Sequence, residues 1–259
     1  MKNILLLTDF SNNSKNALDF ALNLFKGGKY HFFILNVQRT SNYTTGELWS
    51  ANPSSSVYDS IIKNPKDKLA KMVANYEKVF SDETYTFDVI CDYDAFISAV
   101  NQTVKLKSID LIVMGTNGAT GAKEIVFGSN TIGVIRNVDC PVLVIPQKYK
   151  YNRPKKILFA TEHDELFIEK SLSPLTYILS KFNAELEILM IENVRSADEN
   201  RNKKEKIDTF YKSTKHNFYT ITDIAADIAI ASFVQINKVD LVAKIINKES
   251  FLKRLLSKS

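Results

Sequence analysis

The sequence predicts an α/β fold made of two tandem, doubly wound parallel-sheet domains of Rossmann-like type, the second lacking its last strand. Three observations support this prediction. Apolar strand-like runs alternate with helical patterns along the amino-terminal half, as successive βα units require. The runs "ILLL", "LIVM" and "VLVI" are continuously apolar, which is typical of a parallel sheet covered on both faces. The same pattern then recurs, without its last strand, in the carboxyl-terminal half.

The first copy is predicted to contain alternating strands and helices. Strands are expected near residues 3–8, 31–37, 84–91, 110–115 and 141–146, and helices near residues 12–26, 64–80, 94–107 and 129–138. Asp9 or Ser11 is the predicted N-cap of the first helix, and Ser129 that of the last. Residues 38–60 form a long polar stretch that carries Trp49, and such a stretch is unusual unless it covers something.

The repeat is visible as paired segments in the same order. "KNILLLTDFS" at residues 2–11 matches "KKILFATEHD" at residues 155–164, since each has a basic start, an apolar strand and a Thr-acid pair. "SIDLIVMG" and "KVDLVAKI" match later in each copy. The polar segment "QKYKYNRP", residues 147–154, joins them. We therefore expect one domain over residues 1–147 and a second over residues 154–259.

Composition indicates a folded, soluble protein. Of the 259 residues, 45% are hydrophobic and 24% charged, which is close to globular averages. The chain shows neither a signal-peptide core nor a run of roughly 18 apolar residues that would span a membrane. The net charge of +5 is mild, and "RNKKEK" at residues 201–206 favours a solvated surface over a nucleic-acid site. A cytoplasmic location, with no nucleic-acid or membrane partner, is expected.

Cysteine and histidine give no sign of a metal site. Cys91 and Cys140 lie in apolar contexts without CxxC spacing, which favours buried free thiols over a disulfide or a metal site. The three histidines are scattered over both copies and form no ligand spacing.

A glycine cluster points to an anion. "GTNGATGAKEIVFGSN", residues 115–130, holds four of the chain's eight glycines and follows an apolar strand. Gly115, Gly118 and Gly121 would let backbone amides approach a phosphate, and Gly128 and Ser129 would open a helix whose amino terminus favours anions. The segment is neither a Walker A loop, because "GAKEI" lacks the required Lys-Ser/Thr pair, nor GxGxxG.

The predicted topology brings a carboxylate to the same place. In open parallel sheets, ligands bind beyond the carboxyl ends of the strands, where successive connections depart in opposite directions. If the first strand is central and neighbours the fourth, Asp9 and Gly115 meet at that crevice.

These residues carry a resemblance. The pattern Gly115, two residues, Gly118, nine residues, Gly128-Ser129 resembles the ATP-binding signature of the universal stress protein (UspA) family. "KNILLLTDFS" and "CPVLVIP" extend the match over residues 1–146, and the two copies look like that family's tandem members. The resemblance implies an adenine nucleotide alpha hydrolase-like fold, bound ATP, ADP or AMP with Mg²⁺ as an optional partner of the phosphates, a regulatory or stress-response role, and a homodimer through strand 141–146. The site residues that it implies are Thr8, Asp9, Val37, Met114, Gly115, Thr116, Gly118, Gly128, Ser129 and Asn130.

Within that implied site, adenine and ribose would lie near Asp9 and the backbone of Val37, and the phosphates near the glycines. Asn117 stands where many relatives carry a basic or histidine side chain, and Lys123 is a partial substitute or a solvated loop lysine.

The second copy departs from this signature. Residues 151–259 contain no glycine, and the register places Ile245 at the Gly115 position and Lys248 at the Gly118 position. Lys258 and Ser259 fall at the positions of Gly128 and Ser129, and Glu162 replaces Asp9. We expect a degenerate second domain and one nucleotide per chain.

Plainer interpretations stay open at this stage. Asp9 and Ser129 are possible helix caps without a ligand, and the glycines can shape a turn alone. Two alternatives to a regulatory nucleotide-binding protein also stay open: a slow ATPase or nucleotidyl-transfer enzyme on the same fold, and a scaffold that binds no nucleotide. We assign no catalytic residue, because phosphoryl transfer needs a group that positions the nucleophile and the sequence offers no obvious one.

Overall fold

The computed structural model describes residues 1–38, 57–116, 127–162, 169–192 and 197–246. The chain divides into two compact units, Met1–Tyr151 and Asn152–Ser259. The division falls inside the polar segment 147–154.

The first unit is a parallel sheet with helices on both faces. Its strands are β1 (Asn3–Leu7), β2 (Lys29–Val37), β3 (Thr84–Asp92), β4 (Leu111–Thr116) and β5 (Val142–Pro146). Its helices are α1 (Asn12–Leu24), α2 (Val57–Val79), α3 (Phe96–Leu106) and α4 (Ser129–Asn137). The α/β alternation predicted from the sequence is confirmed.

Two local predictions were wrong. α2 begins at Val57, seven residues before the predicted start, and Pro65 lies inside it. The Asn64-Pro65 pair is typical of a helix start, because proline lacks the amide hydrogen needed farther inside a helix. The N-cap of α4 is Gly128, and Ser129 is its first helical residue. Ser11 is the N-cap of α1, and its hydroxyl accepts from the Ser14 amide.

The strand order places β1 in the middle of the sheet. The order is β3-β2-β1-β4-β5, and every adjacent pair is parallel. Leu6 of β1 pairs with Ile34 of β2 on one side and with Val113 of β4 on the other. The chain therefore leaves β1 at the point where the connections reverse direction, which is where doubly wound sheets bind ligands.

The core explains why the strands are apolar throughout. Ile4, Leu5 and Leu6 are fully buried, because both faces of β1 are covered. α3 and α4 contribute Val100 and Val134 to the cluster on one face. Burying each such side chain stabilises the fold by about 1.5–3 kcal/mol relative to leaving it exposed.

The second unit repeats this arrangement with four strands among its described residues. They are β6 (Lys156–Thr161), β7 (Glu185–Glu192), β8 (His216–Thr222) and β9 (Leu241–Lys244), in the parallel order β8-β7-β6-β9. Its helices are α5 (Glu169–Phe182), α6 (Ala197–Phe210) and α7 (Ala226–Asn237).

The sheet of the second unit carries an ion pair whose carboxylate is buried. Lys156 Nζ lies 3.1 Å from Glu187 Oε1, and the Glu187 side chain is 2% exposed. The hydrogen bond to Glu187 raises the pKa of Lys156. Because Glu187 stands on a central strand, removing the lysine would leave a desolvated carboxylate.

Both cysteines are free and partly buried. Burial is the main reason why the pKa of Cys140 rises to about 12, and its Sγ lies 3.5 Å from the Ile109 carbonyl oxygen. Its thiol therefore stays protonated at neutral pH, which is typical of a packing residue.

Candidate functional site

A cluster of hydroxyl groups shapes the turn that leaves β1. Thr8 Oγ1 lies 3.1 Å from Ser14 Oγ and accepts a hydrogen bond of 3.1 Å from the Phe10 amide. Phe10 has a φ of 65°, a left-handed conformation that is uncommon for a bulky residue. Such backbone strain persists only where surrounding contacts hold it, and here the Thr8 hydroxyl does so.

The same turn presents the carboxylate of Asp9. Asp9 Oδ1 accepts a hydrogen bond of 3.0 Å from the Ser11 amide. Partial burial raises the pKa of Asp9, but hydrogen bonds from the Ser11 and Ser14 side chains and from the Ser11 amide lower it more, so the net pKa lies below the usual value. The carboxylate is therefore ionised at neutral pH and stays an acceptor.

A buried asparagine ties the carboxyl end of β2 to that of β1. Asn36 is 2% exposed, and its Nδ2 donates to the Thr8 carbonyl oxygen at 2.8 Å. Its Oδ1 accepts a hydrogen bond from Gln38 Nε2. The backbone amide of Gln38 donates to the Asp92 carbonyl oxygen at 2.7 Å. These hydrogen bonds join the carboxyl ends of β1, β2 and β3.

A cavity of about 240 Å³ opens at these strand ends. This is somewhat smaller than the roughly 300–1,000 Å³ of a typical small-molecule site. The cavity is therefore large enough for part of a ligand. Its lining residues are Asp9, Phe10, Asn36, Val37, Gln38, Asn64, Pro65 and Lys68.

The helix wall of the cavity comes from residues 64–68, inside α2. Asn64 and Lys68 are one helical turn apart, so both face the same side, and buried Leu69 anchors that turn in the core. Lys68 Nζ lies 5.6 Å from the centroid of the Phe10 ring, within cation–π range. The cavity thus combines a carboxylate, three side-chain amides, an aromatic ring and an ammonium group.

Gly115, in β4, and Gly128, the N-cap of α4, differ in whether their surroundings require glycine. A Cβ at Gly115 would lie 2.9 Å from the Asn13 carbonyl oxygen, so glycine is needed there for α1 to pack against β4. Gly128 is different, because its φ is −66° and a Cβ would meet no atom of the described residues within 4 Å. Neither the conformation nor the packing of the described part of the chain requires glycine at position 128.

The start of α4 offers backbone donors next to that open space. The Gly128 amide donates to Thr116 Oγ1 at 3.3 Å, which joins the end of β4 to α4. The N-cap Gly128 has no side chain with which to cap the first turn of α4. The backbone amides and the helix dipole at a helix amino terminus favour an anion.

The predicted site residues fall into two groups around the end of β1. Thr8, Asp9 and Val37 lie on the cavity side, at the ends of β1 and β2. Met114, Gly115 and Thr116 end β4, and Gly128, Ser129 and Asn130 begin α4. Gly118, Gly121, Asn117 and Lys123 lie outside the described residues.

Several cavity residues were not identified from the sequence. Asn36 left a signal, because it is a polar residue inside the apolar strand "YHFFILNV". Phe10 and Gln38 adjoin predicted site residues but have side chains with no distinctive spacing. Asn64 and Lys68 reach the cavity only through the packing of α2, about 30 residues along the chain from Val37.

The equivalent place in the second unit has other chemistry. Ile4 pairs with Leu111 and Ile157 pairs with Leu241, so Lys244 occupies the position of Met114, and Glu162 that of Asp9. Lys244 Nζ and Glu162 Oε1 form an ion pair, with side chains 29% and 16% exposed. The carboxylate of the second unit is therefore already paired with a cation of its own chain.

Comparison with known proteins agrees with this architecture. Residues 1–146 match the universal stress protein family. Universal stress protein MJ0531 of Methanocaldococcus jannaschii is 28% identical over 158 residues, which cover 60% of this chain and 84% of the relative. Universal stress protein YxiE of Bacillus subtilis is 27% identical over 154 residues, which cover 55% of this chain and 97% of the relative.

One solved structure resembles both units together. The crystal structure of a universal stress protein from Archaeoglobus fulgidus superposes with a TM-score of 0.72 and covers 93% of this chain and 86% of that protein. At 16% identity, this likeness concerns the fold.

The fold and the crevice define a doubly wound α/β protein whose ligand site would lie at the switch point of the sheet. Because the family match spans more than half of the sequence, the chain belongs to the universal stress protein family. Among the residues that the structure describes, no helix combines the length and apolar character needed to cross a membrane.

The two glycines give a matched test of the site geometry. Gly115→Ala should lower the free energy of unfolding by about 1–3 kcal/mol, because its Cβ would overlap the Asn13 backbone. Gly128→Ala should change it by less than about 1 kcal/mol, because the backbone is already extended and the space is open. Urea denaturation followed by circular dichroism measures the free energy of unfolding of both variants. Equal destabilisation would contradict the different packing described for Gly115 and Gly128.

Proposed function

We propose that this protein binds one adenine nucleotide, ATP, ADP or AMP, in its first unit, and that occupancy regulates its assembly or its partners. The observation that carries the proposal is Gly128. Its φ of −66° suits any residue and a Cβ would meet no atom of the described residues within 4 Å, yet the residue is glycine, at a helix amino terminus that suits a phosphate. A glycine that the fold itself does not need is explained by a ligand that passes close to the backbone.

The cavity supplies a place for the nucleoside. The ionised carboxylate of Asp9 is an acceptor for ribose hydroxyl groups, and the backbone at Val37 borders the same cavity. The phosphates would then lie toward Gly115, Thr116 and the first turn of α4, with Gly118, as the sequence signature implies, completing the site. Mg²⁺ would accompany the phosphates as a counterion. Relatives named universal stress proteins support the regulatory role.

The proposed regulation requires the nucleotide to bind two states of the protein with different affinities, because a ligand alters an equilibrium in no other way. Hydrolysis would require a group that positions water. The proposal assigns Asp9, the carboxylate of the cavity lining, to the ribose hydroxyl groups instead. Measuring phosphate release alongside binding distinguishes a slow ATPase, since true turnover would scale with protein and disappear in a site variant.

Isothermal titration calorimetry of the full chain tests the site directly. Wild type should bind ATP, and Gly128→Val should abolish measurable binding, because its side chain would enter the open space at the start of α4. Gly118→Val should have the same effect. Gly128→Val should retain the wild-type circular dichroism spectrum. If wild type and both variants bind ATP equally well, the site assignment is wrong.

A second prediction concerns stoichiometry. Nucleotide released by denaturing the purified protein, quantified by chromatography after saturation with ATP, should amount to one molecule per chain. Asp9→Asn should weaken ATP binding, whereas Glu162→Gln should leave it unchanged, because Glu162 is paired with Lys244. Two nucleotides per chain, or equal effects of the two substitutions, would contradict the proposal that the second unit does not bind.

We also propose that two chains pair through β5. This strand ends the sheet of the first unit and bonds to β4 along one side. The Ile112 amide donates to the Pro141 carbonyl oxygen, so in a parallel ladder the amide of Val144 points to the open edge. An edge of this kind is a template for pairing with another strand.

Light scattering of the eluting protein checks this pairing. Wild type should have twice the chain mass of 29.4 kDa. Val144→Pro should be monomeric, because proline removes the outward amide hydrogen and is tolerated on edge strands. Val144→Ala, which keeps that hydrogen, should remain dimeric. A wild-type monomer, or a dimeric proline variant, would overturn the proposal.

A further inference from the structure

Gln38 lines the cavity, and a chain of hydrogen bonds fixes the orientation of its side-chain amide. The chain begins at the Thr8 carbonyl oxygen, which can only accept. Asn36 must therefore turn its Nδ2 toward Thr8, at 2.8 Å, and its Oδ1 the other way. That oxygen in turn requires a donor, and Gln38 supplies Nε2. The Thr8 carbonyl oxygen thus determines which end of the Asn36 and Gln38 side-chain amides is oxygen and which is nitrogen, an assignment that is otherwise ambiguous.

The surroundings leave little freedom to reverse this arrangement. Asn36 is 2% exposed, so turning either amide round would bring oxygen against oxygen in a site that water does not reach. The backbone of Gln38 is also fixed, because its backbone N–H donates to the Asp92 carbonyl oxygen at 2.7 Å. Gln38 Oε1 is consequently the end of the side chain that is directed away from Asn36.

The strand wall of the cavity is therefore rich in acceptors. Gln38 Oε1 has two lone pairs, so it can accept from a ligand in addition to other contacts. The ionised carboxylate of Asp9, which the proposed function assigns to the ribose, is a second acceptor in the cavity lining. A base that presents an amino group to this wall is complementary, whereas a base that presents a carbonyl oxygen is repelled.

We infer that Gln38 is the residue that selects adenine, by accepting a hydrogen bond from its exocyclic amino group through Oε1. Guanine and hypoxanthine carry a carbonyl oxygen at the ring position where adenine carries that amine, so they would place oxygen against oxygen. This inference rests on the proposed nucleotide site and adds the group that reads the base.

The test compares ATP with ITP, which differ in the base and share ribose and phosphates. Calorimetry of the wild-type full chain should show ATP binding at least about tenfold more tightly than ITP, the effect of one good hydrogen bond. Gln38→Met removes the acceptor and should bring the ratio of the two affinities close to one. Gln38→Lys replaces the acceptor with a donor and should favour ITP. Asp9→Asn is the matched control, because it alters a proposed ribose contact and should weaken both nucleotides alike.

The outcomes separate this inference from the proposed function. If the wild type binds ATP and both folded Gln38 variants keep its preference over ITP, the role of Gln38 is wrong and nucleotide binding stands. If the wild type binds neither nucleotide, both are overturned. Circular dichroism establishes folding, and Gln38→Lys keeps a donor for Asn36 Oδ1, so it provides a second folded variant if Gln38→Met does not fold.

Discussion

The hydrogen bond from Asn36 Nδ2 to the Thr8 carbonyl oxygen is the interaction on which the crevice of the first unit depends. It joins the carboxyl ends of β1 and β2 at the level where the chain turns toward α1. Because Asn36 is buried, losing this bond would leave unpaired polar groups inside the protein at a cost of about 1–3 kcal/mol. The same bond determines which end of the Gln38 side-chain amide faces Asn36, so one contact serves both the fold and the proposed recognition of the base.

The two units show how one topology can hold two different crevices. Their central strands pair in the same register, yet Asp9 lines an open cavity whereas Glu162 is paired with Lys244. A carboxylate that is already paired with a cation has little to gain from ribose hydroxyl groups. Position in the fold therefore defines where a ligand would bind, and the side chains at that position determine whether it does.

Most of the first sheet was predictable from the sequence, because strands buried on both faces leave long apolar runs bounded by polar residues. β1, β3 and β4 lie within one or two residues of their predicted bounds. The start of α2 was not predictable, because Pro65 ordinarily marks the first turn of a helix and here lies inside one. The N-cap of α4 was displaced by one residue, since glycine and serine are both common at that position.

The sequence by itself determined the fold class, the family resemblance and the contrast between a glycine-rich first copy and a second copy without glycine, because these are properties of local pattern and composition. Tertiary structure alone decided which side chains meet. Phe10 and Gln38 meet because β1 pairs with β2, and the packing of α2 against the sheet adds Lys68 to the same cavity. Tertiary structure also distinguished the two glycines. The close approach of the Asn13 backbone at Gly115 and the open space at Gly128 depend on neighbours that local sequence does not specify.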